Sequence, residues 1–211
     1  DEQRLWQFVT ERWGELEFEA PWLDRATRRQ ARDLVRRLAV YLRGFAAAGG
    51  RLIDAERHFE VPISIAADAE HGAVLSGDID RVELTADGRV VIVDLKTGKS
   101  EPQSDAKVVD NPQLAAYQLA FETGVIDGTQ GYAAGGAKLL VLRPQAKSKE
   151  FAEPWQPPLD DRARQAFEQR VHAAVDVMRS AQFVAPYEEH CRDEHTHGLC
   201  RIHTIGPVSA S

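Results

Sequence analysis

Val90-Val91-Ile92-Val93 is an unbroken apolar run, and Asp94-Leu95-Lys96 carries it on into charge. Successive side chains of a strand point to opposite faces, so a strand that is apolar at every position must be covered on both sides. This segment is therefore expected at the centre of a sheet. Its charged continuation is equally informative. Asp94 and Lys96 are two apart and leave the same face of a strand, so a carboxylate and an ammonium project together at the end of an apolar element.

Around this strand the pattern predicts three extended segments, 52 to 66, 73 to 85 and 89 to 95, with Asp87-Gly88 as a hairpin signal between the last two. They read as an antiparallel meander. A polar loop from Thr97 to Asp110 follows, then a helix with Asn111 as its cap, Pro112 in its first turn and a stop near Gly124. Leu114, Ala115, Leu119 and Ala120 supply its apolar side. A further strand fits Ala137 to Leu142, stopped by Arg143-Pro144, and the proline-bearing stretch from Pro154 to Pro158 reads as a surface connection. The periodicity predicts a last amphipathic helix over 160 to 180, with Phe167, Val171, Ala174, Val175 and Met178 on one side.

Two helices are expected before the strands. Leu5, Trp6, Val9 and Trp13 have helical spacing over 2 to 13, ahead of Gly14. From Asp24 to Arg43, Ala31, Leu34, Val35, Leu38, Tyr41 and Leu42 share one face, while Arg25, Arg28, Arg29, Arg32, Arg36 and Arg43 lie on the opposite arc. Such a stripe is either a solvated surface or a set of phosphate contacts, because a guanidinium meets phosphate oxygens with two parallel hydrogen bonds. Net charge does not choose between them. The chain is acidic as a whole, at −7, but an acidic total can hide a local basic stripe.

Size and composition set the outer bounds. With 211 residues, 43% hydrophobic and 28% charged, the chain reads as one globular domain with a real core. No stretch approaches the roughly 18 apolar residues of a membrane span, and the start lacks a signal-peptide pattern, so no membrane partner is expected. Cys191 and Cys200 are too few for a disulfide framework, which fits a reducing cytoplasmic location. The chain opens at Asp1 and its single methionine is Met178, so it is expected to be a piece cut from something longer.

Three segments carry the chemistry: Gly77-Asp78-Ile79-Asp80-Arg81-Val82, Val93-Asp94-Leu95-Lys96-Thr97-Gly98, and Gln113-Leu114-Ala115-Ala116-Tyr117. Pairing the first two through the Asp87-Gly88 turn brings Asp80 near Asp94. Adjacent carboxylates repel unless a cation sits between them, and oxygen donors suit Mg²⁺ or Mn²⁺. Such an ion acts on phosphoryl oxygens and on bound water, and Lys96 would orient that water and offset developing charge. Gln113 and Tyr117 are one helical turn apart and can both face the strand ends. Taken singly, Asp94 and Lys96 could be a surface ion pair and Gln113 and Tyr117 ordinary helix residues; the order of all three segments favours a site.

That order, Gly-x-Ile-Asp-Arg, Asp-x-Lys-Thr-Gly and Gln-x-x-x-Tyr, resembles the RecB-type branch of the PD-(D/E)xK nuclease superfamily, which includes the nuclease domains of the AddAB and AdnAB helicase–nucleases. The resemblance covers roughly residues 50 to 145. It implies a restriction-endonuclease-like α/β fold, with a central mixed sheet flanked by helices, and a Mg²⁺- or Mn²⁺-dependent DNA nuclease. It also implies Asp80, Asp94 and the Leu95 carbonyl as metal ligands, Lys96 as the catalytic lysine and Gln113 with Tyr117 as the accessory pair. Arg25, Arg29, Arg32, Arg36 and Arg81 are the expected DNA contacts. Glu56 lies in the preceding strand, where relatives often have an acidic residue.

On this reading residues 1–185 form the nuclease domain, with a helical layer at 1–50, the catalytic core at 51–145 and a C-terminal helix at 155–185. Residues 186–211 form a tail containing cysteine and histidine. Two features depart from the family pattern. Residues 1–50 contain no histidine to match the family's upstream metal ligand, and His58 has no assigned counterpart. In the tail, Cys191 and Cys200 take the first and third places of a Cys-x2-Cys-x5-Cys pattern, but Glu194 takes the second, so an iron–sulfur cluster is not expected. A Zn²⁺ site drawing on His190, His195, His197 and His203 ranks below a metal-free tail. The expected function is the nuclease domain of a bacterial helicase–nuclease in DNA double-strand break repair. Its helicase motor would lie in the same full-length chain or in a partner subunit, since no phosphate-cradling loop occurs here. The alternative is an inactive nuclease-like module that binds DNA or a partner subunit. A stand-alone phage-type exonuclease is the weakest reading.

Overall fold

The computed structural model describes residues 1–63 and 72–180. Contacts divide the chain into two units, Asp1–Glu168 and Gln169–Ser211. The first holds the sheet and the functional residues; the described part of the second is the C-terminal half of one helix.

The strands form β1 (Arg51–Ile63), β2 (Ala73–Leu84), β3 (Arg89–Lys96), β4 (Ala133–Val141) and β5 (Trp155–Gln156), lying side by side in that order. The first three make the antiparallel meander. β4 runs parallel to β3 and β5 antiparallel to β4, so the sheet is mixed and β3 lies at its centre. As its pattern demands, Val90, Ile92 and Val93 are buried. The hairpin from β2 to β3 closes with Thr85 N–H donating to Arg89 O, and Gly88 takes the left-handed conformation at φ 79°. It is a three-residue loop with glycine at its left-handed position rather than a two-residue turn.

The helices among the described residues are α1 (Glu2–Glu11), α2 (Pro21–Ala47), α3 (Pro112–Glu122) and α4 (Asp161–Arg179). α2 extends beyond the predicted 24 to 43 at both ends. Pro21 is tolerated at the first helical position, and Gly44 is carried because Tyr41 and Phe45 stack on either side of it, 6.3 Å between ring centroids. One face of α2 packs Leu34, Leu38, Tyr41 and Leu42 against Val93, Leu95, Leu140 and Leu142. α3 crosses over between the parallel strands β3 and β4, as parallel pairing requires. Asn111 caps it by accepting from Gln113 N and Leu114 N. Every residue from Leu114 to Ala120 is buried, not only the predicted apolar side.

Two expectations need correction here. β4 begins at Ala133, earlier than the predicted 137, because Gly135 lets the strand start hard against β3 and Gly136 lets the Trp155–Gln156 strand approach from the other side. A Cβ at Gly135 would lie 2.7 Å from Val91 Cγ2 and 2.9 Å from Val90 O, beside the bulge between Val90 and Ile92. The stretch from Pro154 to Pro158 is not a surface connection throughout: Trp155–Gln156 pairs with Ala137 and Lys138, and Gln156 is buried. The Gln156 amide donates to Val108 O at 3.0 Å and Val109 O at 2.9 Å, satisfying carbonyls of the loop ahead of α3. The last predicted strand residues, 64–66, and the cysteine- and histidine-bearing tail lie outside the described residues.

Candidate active site

Alternation along β3 sends Val93 to the α2 side and Asp94 and Lys96 to the α3 side. There, Asp94, Lys96, Gln113 and Tyr117 close a ring. Lys96 Nζ donates to Gln113 Oε1 at 3.1 Å, Gln113 Nε2 donates to Tyr117 Oη at 2.9 Å, and Tyr117 Oη donates to Asp94 Oδ1 at 3.2 Å. Asp94 Oδ2 completes it 2.8 Å from Lys96 Nζ. The amide of Gln113 is fixed by this arrangement, because its oxygen must meet the ammonium and its nitrogen the phenol. The tyrosine proton is shared between Asp94 and the Asp78 carbonyl, 3.0 Å away, and Phe59 packs edge-on against its ring.

Asp80 joins from β2. Arg81 pairs with Val93 in the ladder, which puts Asp80 beside Asp94, and its Oδ2 accepts from Leu95 N at 2.6 Å. One carboxylate thus holds the backbone of the residue between Asp94 and Lys96. The sequence-predicted Asp80, Asp94, Leu95, Lys96, Gln113 and Tyr117 therefore meet in one place.

The electrostatics favour a cation. Burial pushes the Asp94 carboxyl above its ordinary range; the Lys96 ammonium opposes this and the charge of Asp80 adds to it. Burial, together with Asp94, likewise pushes the Tyr117 phenol well up, so it remains a proton donor. Asp94 Oδ2 is buried and makes no well-aligned hydrogen bond; the Lys96 ammonium is its close contact. An under-satisfied buried carboxylate oxygen beside a second carboxylate fits a hard divalent ion. Among the described residues no three His, Cys, Asp or Glu side chains gather as a metal-binding group, so this pair is what the side chains could offer an ion, and a backbone carbonyl such as that of Leu95 would have to add to it.

The expected DNA contacts divide. Arg25, Arg29 and Arg32 are exposed on α2. Arg36 is instead held within the chain, its Nη2 2.7 Å from Glu150 and 3.2 Å from Asp33, and these bonds raise its already high pKa. Arg81 points to the α2 side, opposite the site, where its Nε donates to Glu83 Oε1 at 2.9 Å. Both are therefore engaged by carboxylates of the chain itself. His58 stands largely exposed, paired with Asp78 at 2.9 Å, a contact that raises its pKa. Glu56 is exposed and holds φ 54°, a left-handed conformation unusual for a residue with a Cβ.

Sequence reasoning missed a buried polar network on the α2 side. Glu83, 1% exposed, accepts from Tyr41 Oη at 2.6 Å and from Arg81, and lies 4.0 Å from Lys138, whose ammonium sits 5.0 Å from the Tyr41 ring centroid. The available signal was a lone glutamate between Val82 and Leu84. Gln118, also buried, donates to Gln156 Oε1 at 2.8 Å, and no local pattern marks that pair.

A central mixed sheet flanked by helices, with an acidic strand beside an Asp-x-Lys strand, defines an α/β protein of the restriction-endonuclease-like class. The family model described as PD-(D/E)XK nuclease superfamily matches residues 1–201, and the chain belongs to that superfamily. Its members are typically metal-dependent nucleases. A solved structure titled "Crystal structure of SSO0001" is similar at 13% identity, with a TM-score of 0.46, covering 99% of this chain and 97% of that one. No curated protein matches the chain. No helix among the described residues is long and apolar enough to cross a membrane.

Proposed function

We propose that this chain is a Mg²⁺- or Mn²⁺-dependent deoxyribonuclease, the nuclease domain of a bacterial cytoplasmic helicase–nuclease that processes DNA double-strand breaks. The observation that carries the reading is the closed ring of Asp94, Lys96, Gln113 and Tyr117 with Asp80 bonded to its Leu95 backbone. Asp80, Asp94 and the Leu95 carbonyl would hold the ion. When bound, the ion supplies Lewis acidity toward a phosphoryl oxygen and acidifies water.

The remaining work falls to the chain's own groups. Lys96 is partly exposed while Asp94 is buried, so the ammonium reaches from the ring toward solvent. It can orient an attacking water and offset negative charge that grows on the phosphoryl oxygens. Gln113 keeps Nζ in that position, and Tyr117 keeps both Gln113 and Asp94 in place. The helicase motor would belong to the same full-length chain or to a partner subunit, and the RecB-type motif order supports that context.

The test is incubation with linear single- and double-stranded DNA and Mn²⁺ or Mg²⁺. Cleavage stopped by a chelator, and abolished by Asp94→Ala and Lys96→Ala, is the expected result. Binding with steep salt dependence but no cleavage under any of these conditions would replace the proposal with the non-cutting module.

A further inference from the structure

α2 carries four arginines, Arg25, Arg28, Arg29 and Arg32, that form no ion pair among the described residues. They line a cleft of about 420 Å³ together with Trp6 of α1. The guanidinium of Arg32 lies 5.2 Å from the Trp6 ring centroid and that of Arg28 lies 5.6 Å from Trp13. Among the described residues no carboxylate lines the cleft, and the acidic residues of α2 are engaged elsewhere. Asp24 accepts from Trp13 Nε1 at 2.7 Å, and Asp33 is bound to Arg36 and Arg37. Like charges crowded within two helical turns repel one another, and the ring contacts hold Arg28 and Arg32 in place without neutralising them.

The cleft also has a direction. Arg37 Nη1 donates to Glu150 O at 2.7 Å, close to where Ala152 pairs with Val141 and Leu142 N donates to Lys96 O. Gly49, just past the other end of α2, lies against Ala86 in the β2–β3 turn. α2 therefore runs antiparallel to β3. Its first turns, from Arg25 to Arg32, project past the sheet at the end where Asp94 and Lys96 sit. Seven residues of helix span about 10 Å, room for a few successive phosphates of one strand.

We infer that this arginine–tryptophan cleft binds the phosphodiester backbone of the DNA strand delivered to the Asp94–Lys96 site, with the guanidiniums on phosphates and Trp6 as the wall that positions Arg32. The inference rests on the nuclease reading for its choice of ligand. A basic groove that pairs arginines with aromatic rings suits a single strand.

The experiment measures binding of a fluorescent oligothymidylate of about 20 nucleotides to the full chain in chelator, across a salt series, with cleavage assayed separately in Mn²⁺. Replacing Arg25, Arg28, Arg29 and Arg32 together with Gln is expected to weaken binding at least tenfold and to flatten the log–log salt slope by about 2, from roughly three contacts at about 0.7 each. The Arg25→Gln/Arg29→Gln pair makes neither of the ring contacts described and is expected to lose about 1 of slope, which separates phosphate binding from packing of α1. Arg36→Gln is expected to leave the slope unchanged. Unchanged affinity and slope in the fourfold variant, with cleavage intact in the unaltered chain, would overturn the cleft alone. Binding through the cleft without cleavage would overturn the nuclease reading and leave the cleft standing. Equal competition by polyglutamate would overturn the choice of a phosphodiester ligand in favour of an acidic polypeptide.

Discussion

Replacing Tyr117 with Phe removes one oxygen and keeps the ring that packs edge-on against Phe59 at 5.9 Å. No cavity opens, but three polar partners lose their mate: Asp94 Oδ1 at 3.2 Å, the Asp78 carbonyl at 3.0 Å and Gln113 Nε2 at 2.9 Å. A hydrogen bond to a charged group is worth about 1.5–3 kcal/mol, and the buried acceptors cannot turn to solvent, so the stability loss is about 2–3 kcal/mol. At a urea m-value of about 2 kcal/mol/M this moves the unfolding midpoint down by about 1 M. The effect on turnover is separate. Without the phenol, Gln113 is no longer fixed and Lys96 keeps Asp94 as its anchor, so kcat is expected to fall about 10- to 100-fold, equivalent to about 1.4–2.8 kcal/mol. The Tyr117 hydrogen bond also holds the Asp94 pKa down against burial, so its loss moves the acid limb of the pH–rate profile upward. Because the four groups close on themselves, Gln113→Ala and Tyr117→Phe should be non-additive, with a coupling of about 0.5–3 kcal/mol. Steady-state cleavage of a fluorescent linear DNA, repeated across pH, reads all of this. An unchanged kcat and acid limb, or strictly additive losses in the double variant, would refute a positioning role even if stability fell.

Further outcomes follow from the same geometry. Burial raises the Asp94 pKa above its unfolded value, so between the two values the folded chain binds the extra proton and metal-free stability falls as pH rises. Asp94→Asn should flatten that slope and raise the melting temperature near neutral pH in chelator; an unchanged profile would contradict it. Glu83→Gln leaves Arg81, 17% exposed, without its buried carboxylate, while Lys138 keeps Glu153 at 2.7 Å; the substitution is expected to cost about 3 kcal/mol in urea unfolding. A loss below about 1 kcal/mol would show the network to be better solvated than its burial implies. Glu56→Gly, at φ 54°, should stabilise the chain by up to about 1 kcal/mol, while Glu56→Val should destabilise it; thermal unfolding of the two compares the signs directly.

The sequence by itself determined the features set by neighbours along the chain. The apolar run at Val90–Val93 required a central strand, Asn111-Pro112 marked the start of α3, and Asp94 and Lys96 had to share a face because strand side chains alternate. Gln113 and Tyr117 were legible as a pair for the same local reason, being one helical turn apart. Tertiary structure decided what each charge and amide does. Arg36 and Arg81 look like the other arginines in sequence, yet partners such as Glu150, 114 residues from Arg36, commit them to the fold. Tyr41 finds Glu83 at a separation of 42, and Gln156 finds Val108 at 48, turning an expected surface connection into an edge strand with one buried amide. An isolated sequence window carries the period of an element but not the identity of the partner across it. A buried polar group takes its role from that partner, since without one it would bear its desolvation cost uncompensated.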